Sequence, residues 1–279
     1  MDRYSVKGCG SIMPSDEDYL RIILRRVRVC KAYKPRFGQG QNTGLSLEAF
    51  QMLYGADLFY TWFGLDNPLM YAAHKAAGGI TSVYRQIGIG CEELYRQILC
   101  DQYGLSSSQV AWSYDVPKPD GTTRKLSLDG RIDVNDVVDS TQRDVLVHWI
   151  ADAARFLKIA PEVASALKGV VFEVRQGYKS KDSKRQNADI ANAATAYSQA
   201  YLPVALILST QIDNDIVYRY QTQRWLVLRG FTDGATTHST YSFVHDVIGY
   251  DLAGFFTRNA ATLKAEVEEV LEALLSAHE

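Results

Sequence analysis

The chain has 279 residues, 47% hydrophobic and 22% charged, with a formal net charge of −2. That is the make-up of an ordinary globular protein, long enough for one large domain or two modest ones. Near-neutral charge confines any surface for a polyanion to local patches, and no stretch has the apolar length that spans a bilayer. Cys9, Cys30, Cys91 and Cys100 form neither a CxxC pair nor a disulfide framework, which points to a reducing compartment. The first twenty residues lack a charged start followed by an apolar run, so no secretory signal is expected and a cytoplasmic location is.

In chain order, residues 15–32 predict a helix, with Ser15 as N-cap and acids in its first turn. Seven of the sixteen residues from Arg21 to Arg36 are basic, a candidate surface for phosphates. "KPRFGQGQNTG" (34–44) is a loop by its turn chemistry; it reads either as a solvated linker or as a segment ordered by a phosphate backbone. Residues 46–77 suggest two or three packed helices, ended by Gly78-Gly79, and the aromatic "FYTWFGL" (59–65) reads as core or as an interface. Residues 81–105 form an amphipathic pattern with Cys91, Leu94 and Ile98 inward.

"VAWSYDVP" (110–117) and "RKLSLDGRIDV" (124–134) flank a Pro-Asp-Gly turn and predict a hairpin. In its second strand Leu126, Leu128, Ile132 and Val134 share one face, and Ser127, Asp129, Arg131 and Asp133 the other. Helices are expected over 140–158 and from Pro161, a strand over 170–176 carrying Glu173, and a helix over 183–201 capped by Ser180 or Asp182. A buried strand follows at 202–210, then a strand pair or extended segment at 216–230. The last element is an amphipathic helix at 258–277 with Leu263, Val267, Val270, Leu271 and Leu274 on one stripe.

Glu173 poses a physical question, because a charge in an apolar strand is costly unless it is paired or holds a metal. Taken singly, Glu173 beside Arg175 is an ion pair, Asp129 before Gly130 is turn chemistry, and Asp133 is an edge-strand charge. Taken together, two acids on one strand face and a third on a neighbouring strand can converge on an oxygen-rich site of the kind that suits Mg²⁺. Arg175, Lys179, Lys181, Lys184 and Arg185 follow closely and would hold an anionic substrate backbone. His238 and His245 read as surface or internally satisfied histidines. No GxSxG and no GxxxxGK[ST] occurs, so neither a serine triad of that type nor a nucleotide cofactor is expected.

The element order αβββαβ, with "SLDGRIDV" followed by "VVFEVRQGYK" and preceded by "GIGCEEL", resembles the PD-(D/E)xK nuclease superfamily. Within it, the chain is similar to type II restriction endonucleases of the ApaLI/XbaI group over about residues 85–210. The resemblance implies an α/β (α+β) fold with a mixed central sheet flanked by helices. Three segments are then expected: a helical N-terminal region (1–80) for DNA contacts, dimerisation or both, a catalytic core (81–230) and a C-terminal helical segment (231–279) packed on the core or at the dimer interface. It also implies Mg²⁺, with Mn²⁺ as a substitute, held by Asp129 or Asp133 and by Glu173, with Glu92 or Glu93 as accessory acid. The family lysine two residues after the second acid is here Arg175, which is always protonated and cannot be a general base. Arg175 would orient water or bind phosphate, or Lys179 or Lys184 would reach back.

The implied activity is site-specific hydrolysis of double-stranded DNA at a short palindrome by a prokaryotic cytoplasmic homodimer, without a membrane partner. Candidate DNA contacts are Arg36, Gln39, Gln41, Asn42, Lys181, Lys184, Arg185 and Asn187. Two alternatives keep the fold: a structure-specific repair or recombination nuclease, and a non-catalytic DNA-binding protein.

Overall fold

The computed structural model describes residues 14–37, 43–117, 121–177 and 192–276. The N-terminal part is helical: α1 (Asp16–Arg28), α2 (Leu47–Gly55), α3 (Leu58–Trp62) and the long α4 (Pro68–Tyr103), followed by the single turn α5 (Ser107–Val110). A hairpin, β1 (Trp112–Pro117) and β2 (Thr123–Leu128), leads into β3 (Gly130–Asp133). Next come α6 (Ser140–Phe156), α7 (Pro161–Ala166) and β4 (Gly169–Arg175). A helix described over 192–198 (α8) precedes β5 (Tyr201–Ile207), α9 (Asn214–Thr222) and β6 (Leu226–Leu228). The chain closes with α10 (Thr240–Phe243), α11 (Leu252–Arg258) and α12 (Ala260–Leu275).

β1 and β2 pair antiparallel as a two-stranded sheet, in agreement with the expected hairpin. The main sheet has the order β3-β4-β5-β6, antiparallel between β3 and β4 and parallel in the other two pairs. Every residue of β5 is buried, as a strand covered on both faces requires. Side chains alternate across β4. Val170, Phe172 and Val174 enter the larger core with residues of α1, α4, α6 and α12, while Val171 joins Trp112, Ala193, Ala205 and Trp225 on the opposite face. The molecule is thus a mixed α/β fold with helices covering the sheet.

Three expectations are corrected. Gly78-Gly79 does not end a helix: α4 runs through both glycines, and the expected boundary after residue 80 falls inside it. Their role is close approach. A Cβ on Gly79 would lie 2.4 Å from Leu274 of α12, and one on Gly78 would meet the Tyr33 side chain, so both elements settle against α4 only where it lacks side chains. Residues 216–230 are not a strand pair. Asp213 caps α9, Ile216 and Tyr220 are buried one turn apart, and only Leu226–Leu228 is strand. β-branched and aromatic composition favours strands, but the cap and the i,i+4 burial decide here. Finally, the aromatic segment 59–65 is not core, since Phe59, Trp62 and Phe63 are exposed.

The basic run of α1 also has a different role from the one expected. Ser15 and Asp18 form a reciprocal capping box that starts the helix. Arg25 and Arg26 then bond Glu93 of α4, with Arg25 Nη2 and Arg26 Nε each 2.9 Å from Oε2. Arg28 and Lys31 each stand 2.8 Å from the buried Glu266 of α12, and Lys31 also reaches Glu269. Arg21 lies beside Glu17 and Asp18. Most of the expected phosphate-binding charge is therefore turned onto acids of the chain and fastens α1 between α4 and α12.

This arrangement predicts a pH dependence. The Arg26 guanidinium, with Arg25, holds the Glu93 carboxyl below the usual carboxylate range, and Lys31 and Arg28 do the same for Glu266. A depressed folded-state pKa gives stability that is present above the unfolded value near ~4.3 and is lost as pH falls through the folded value. Urea midpoints measured from neutral pH downward are expected to fall in acid less steeply for the double variant Glu93→Gln/Glu266→Gln than for wild type. Parallel curves would refute the assignment. Among the described residues, no helix is long and apolar enough to cross a membrane.

Candidate active site

The site begins where one strand changes sheets. β2 pairs with β1 up to Leu128, and β3 pairs with β4 from Gly130. Between them the N–H of Asp129 donates to the carbonyl of Phe172 at 2.8 Å, although Phe172 is already the register partner of Gly130. Two residues thus face one, which is a β-bulge, a device that bends a strand and re-aims a side chain. The Asp129 carboxylate then takes the position a ladder carbonyl would have held, its Oδ2 accepting the N–H of Val174 at 2.8 Å. The Asp129 carboxylate thereby lies against the main chain of Val174, the residue that follows Glu173 in β4.

Glu173 and Arg175 project from the same face of β4. Their ion pair is short, Arg175 Nη2 to Glu173 Oε1 at 2.7 Å, with side chains only 6% and 15% exposed respectively. The charge in the apolar strand is therefore compensated locally, as its burial demands. From the other side, α4 packs Tyr95 edge-on against Phe172, and Arg96 Nη1 donates to the Asp129 carbonyl at 3.3 Å. Arg96 is a contact that sequence reading missed. Its only signal was a position one helical turn after Glu92, which puts the two on one side of α4. Glu93, one of the two expected accessory acids, is held by Arg25 and Arg26 of α1.

Asp133 does not join Asp129 and Glu173. It sits opposite Gly169 at the far end of β3, four residues or roughly 13 Å along the strand from Asp129. There its Oδ1 accepts the N–H of Asn135 and its Oδ2 the Tyr201 hydroxyl at 2.8 Å. Burial, followed by that bond, pushes the Tyr201 phenol up to about 12. A shared strand face is thus insufficient for convergence, because alternation fixes the face and not the distance. Among the described residues, no group of three or more His, Cys, Asp or Glu side chains is placed to hold a metal ion.

Of the expected DNA contacts, Arg36 is exposed ahead of Phe37, whose ring packs on Phe50 and His74. Gln39, Gln41, Asn42, Lys179, Lys181, Lys184, Arg185 and Asn187 lie outside the described residues. So do both expected caps of the helix after β4. The two histidines have separate neighbours: His238 lies edge-on to Phe156, and His245 Nδ1 is 2.7 Å from Asp246 Oδ1. Compared with known proteins, the chain matches no family model, no curated protein and no solved structure.

Proposed function

We propose that the chain is a nuclease that hydrolyses phosphodiester bonds of double-stranded DNA with Mg²⁺, or Mn²⁺ in its place, on a restriction-endonuclease-like core. The observation that carries this reading is the bulge at Asp129–Gly130, which turns a carboxylate onto the Val174 N–H beside Glu173. The donor set also fits: Asp129 and Glu173 offer carboxylate oxygens, the hard ligands that Mg²⁺ prefers. When bound, the ion would supply a low-pKa water and neutralise charge on the phosphodiester.

The chain's own residues hold and orient. Val174 N–H fixes one Asp129 oxygen and Arg96 steadies its main chain. Arg175 orients Glu173 at 2.7 Å; being permanently protonated, it takes no proton and serves the substrate phosphate as positive charge. Cleavage at a short palindromic sequence follows from the resemblance to type II enzymes.

The direct test is incubation of plasmid DNA with Mg²⁺ over a range of salt, with discrete fragments as the expected result. Absence of cutting under every metal and salt condition would overturn the reading, and cutting confined to branched or damaged DNA would replace it with the structure-specific one. One observation favours a second reading, a non-catalytic DNA-binding protein: Arg175 already engages the carboxylate that a metal would need. Metal-independent DNA binding without cleavage is its signature. Asp133→Asn separates site from scaffold. It is expected to leave cleavage unchanged while lowering the Tyr201 pKa, read by ultraviolet titration; lost cleavage in a folded variant would return Asp133 to the site.

A further inference from the structure

The largest unexplained feature of the surface lies away from the bulge. Leu58, Phe59, Trp62 and Phe63 on and after α3, with Met52 of α2 and Leu69 of α4, are each 57–80% exposed. At roughly 150–250 Å² per large apolar side chain, they leave on the order of 700 Å² uncovered, more than the ~300–600 Å² of the largest patch on a typical monomer. It is also close to the ~800 Å² that each partner contributes to a standard interface.

The patch continues along α4. Leu69, Ala73, Ala77 and Ile80 recur at spacings of four, four and three, and all are exposed, so they form one stripe on the side away from the buried Tyr71, Lys75, Gly79 and Val83. Helix stripes of this spacing pack against other helices, and small residues at their centre permit close approach.

We propose that this face is the interface of a two-fold homodimer, with α4 crossing its own copy antiparallel near Ala76–Ala77 and the α3 aromatics packing beside the crossing. Three observations select a second copy as the occupant. The uncovered area matches what a stable dimer needs. Continued by the exposed Tyr84, the stripe is self-complementary about Ala76–Ala77, with Ala73 facing Ile80 and Leu69 facing Tyr84 of the second copy, as an isologous contact requires. The charges complement each other as well: Arg85 is exposed beyond one end of the stripe and Asp66 lies just before the other, so antiparallel crossing brings each Arg85 toward Asp66 of the second copy. Nucleic acid and anionic membrane fit poorly, since the charged residues between Leu47 and His74 are Glu48, Asp57 and Asp66, all acidic. The proposal does not depend on the nuclease reading.

Sedimentation velocity of the full chain at micromolar concentration is expected to give twice the chain mass. Trp62→Glu, a change at a site 77% exposed, is expected to weaken association by at least about a hundredfold with an unchanged circular dichroism spectrum. Ala77→Cys, close to the two-fold axis, is expected to form an intermolecular disulfide under mild oxidation, where the wild type does not. A monomeric wild type overturns the proposal, whether or not it binds lipid vesicles. So does a dimer that survives Trp62→Glu and leaves Ala77→Cys without a cross-link.

Discussion

Glu173→Gln is expected to reduce Mg²⁺-dependent DNA cleavage by about a thousandfold while leaving DNA binding near the wild-type level. The amide keeps the shape of the side chain and removes the charge that faces both Arg175 and any bound metal. Losing preorganised electrostatic stabilisation of this kind costs about 10²–10³ in rate. Asp129→Asn is expected to fall as far, because its carboxylate is held on the main chain of Val174, the residue next to Glu173. Melting temperatures and DNA affinity must be read alongside cleavage, since Glu173→Gln also leaves a nearly buried guanidinium with a weaker partner. Two folded variants that cut DNA at the wild-type rate would remove the site from this face of β4, whatever the chain's activity proves to be.

The largest stability effect is expected at Phe172. Its side chain is fully buried, with ring centroids 5.2 Å from Tyr95 and 5.9 Å from Phe243, so it bridges α4 and α10 on one face of the sheet. Phe172→Ala removes that volume and leaves a cavity among aromatic rings that cannot collapse, for a loss of about 3–5 kcal/mol. Chemical denaturation monitored by fluorescence and circular dichroism gives the value. A loss below about 1 kcal/mol would mean that Phe172 is not a central core residue. Because the Phe172 carbonyl also receives the Asp129 N–H, Phe172→Ala is expected to lower cleavage more than equally destabilising changes far from β4. Phe50→Ala, a fully buried ring packed on Phe37, Tyr54 and Tyr71, is the control.

Much of the secondary structure was legible because it is local. The Ser15 cap, the β1–β2 hairpin and the buried strand β5 each depend on neighbours in sequence, on caps, turn-forming residues or an uninterrupted apolar run. The errors have a common origin in packing that is not local. Gly78 and Gly79 read as breakers until Tyr33 and Leu274 are seen against them. The basic residues of α1 read as a surface for phosphates until Glu93 and Glu266 arrive from 60 to 240 positions away.

The candidate site divides in the same way. The sequence by itself determined which residue types were present: a carboxylate on each of two adjoining strands, an arginine two positions after the second, and the alternation that sets Glu173 and Arg175 on one face. Only the tertiary structure decided which of them meet. The bulge advances Asp129 to the Val174 N–H, whereas strand rise carries Asp133 to Tyr201 at the other end of β3. Periodicity encodes direction around an element, but the distance between side chains on different strands is set by register and bulges, which arise from pairing across the fold.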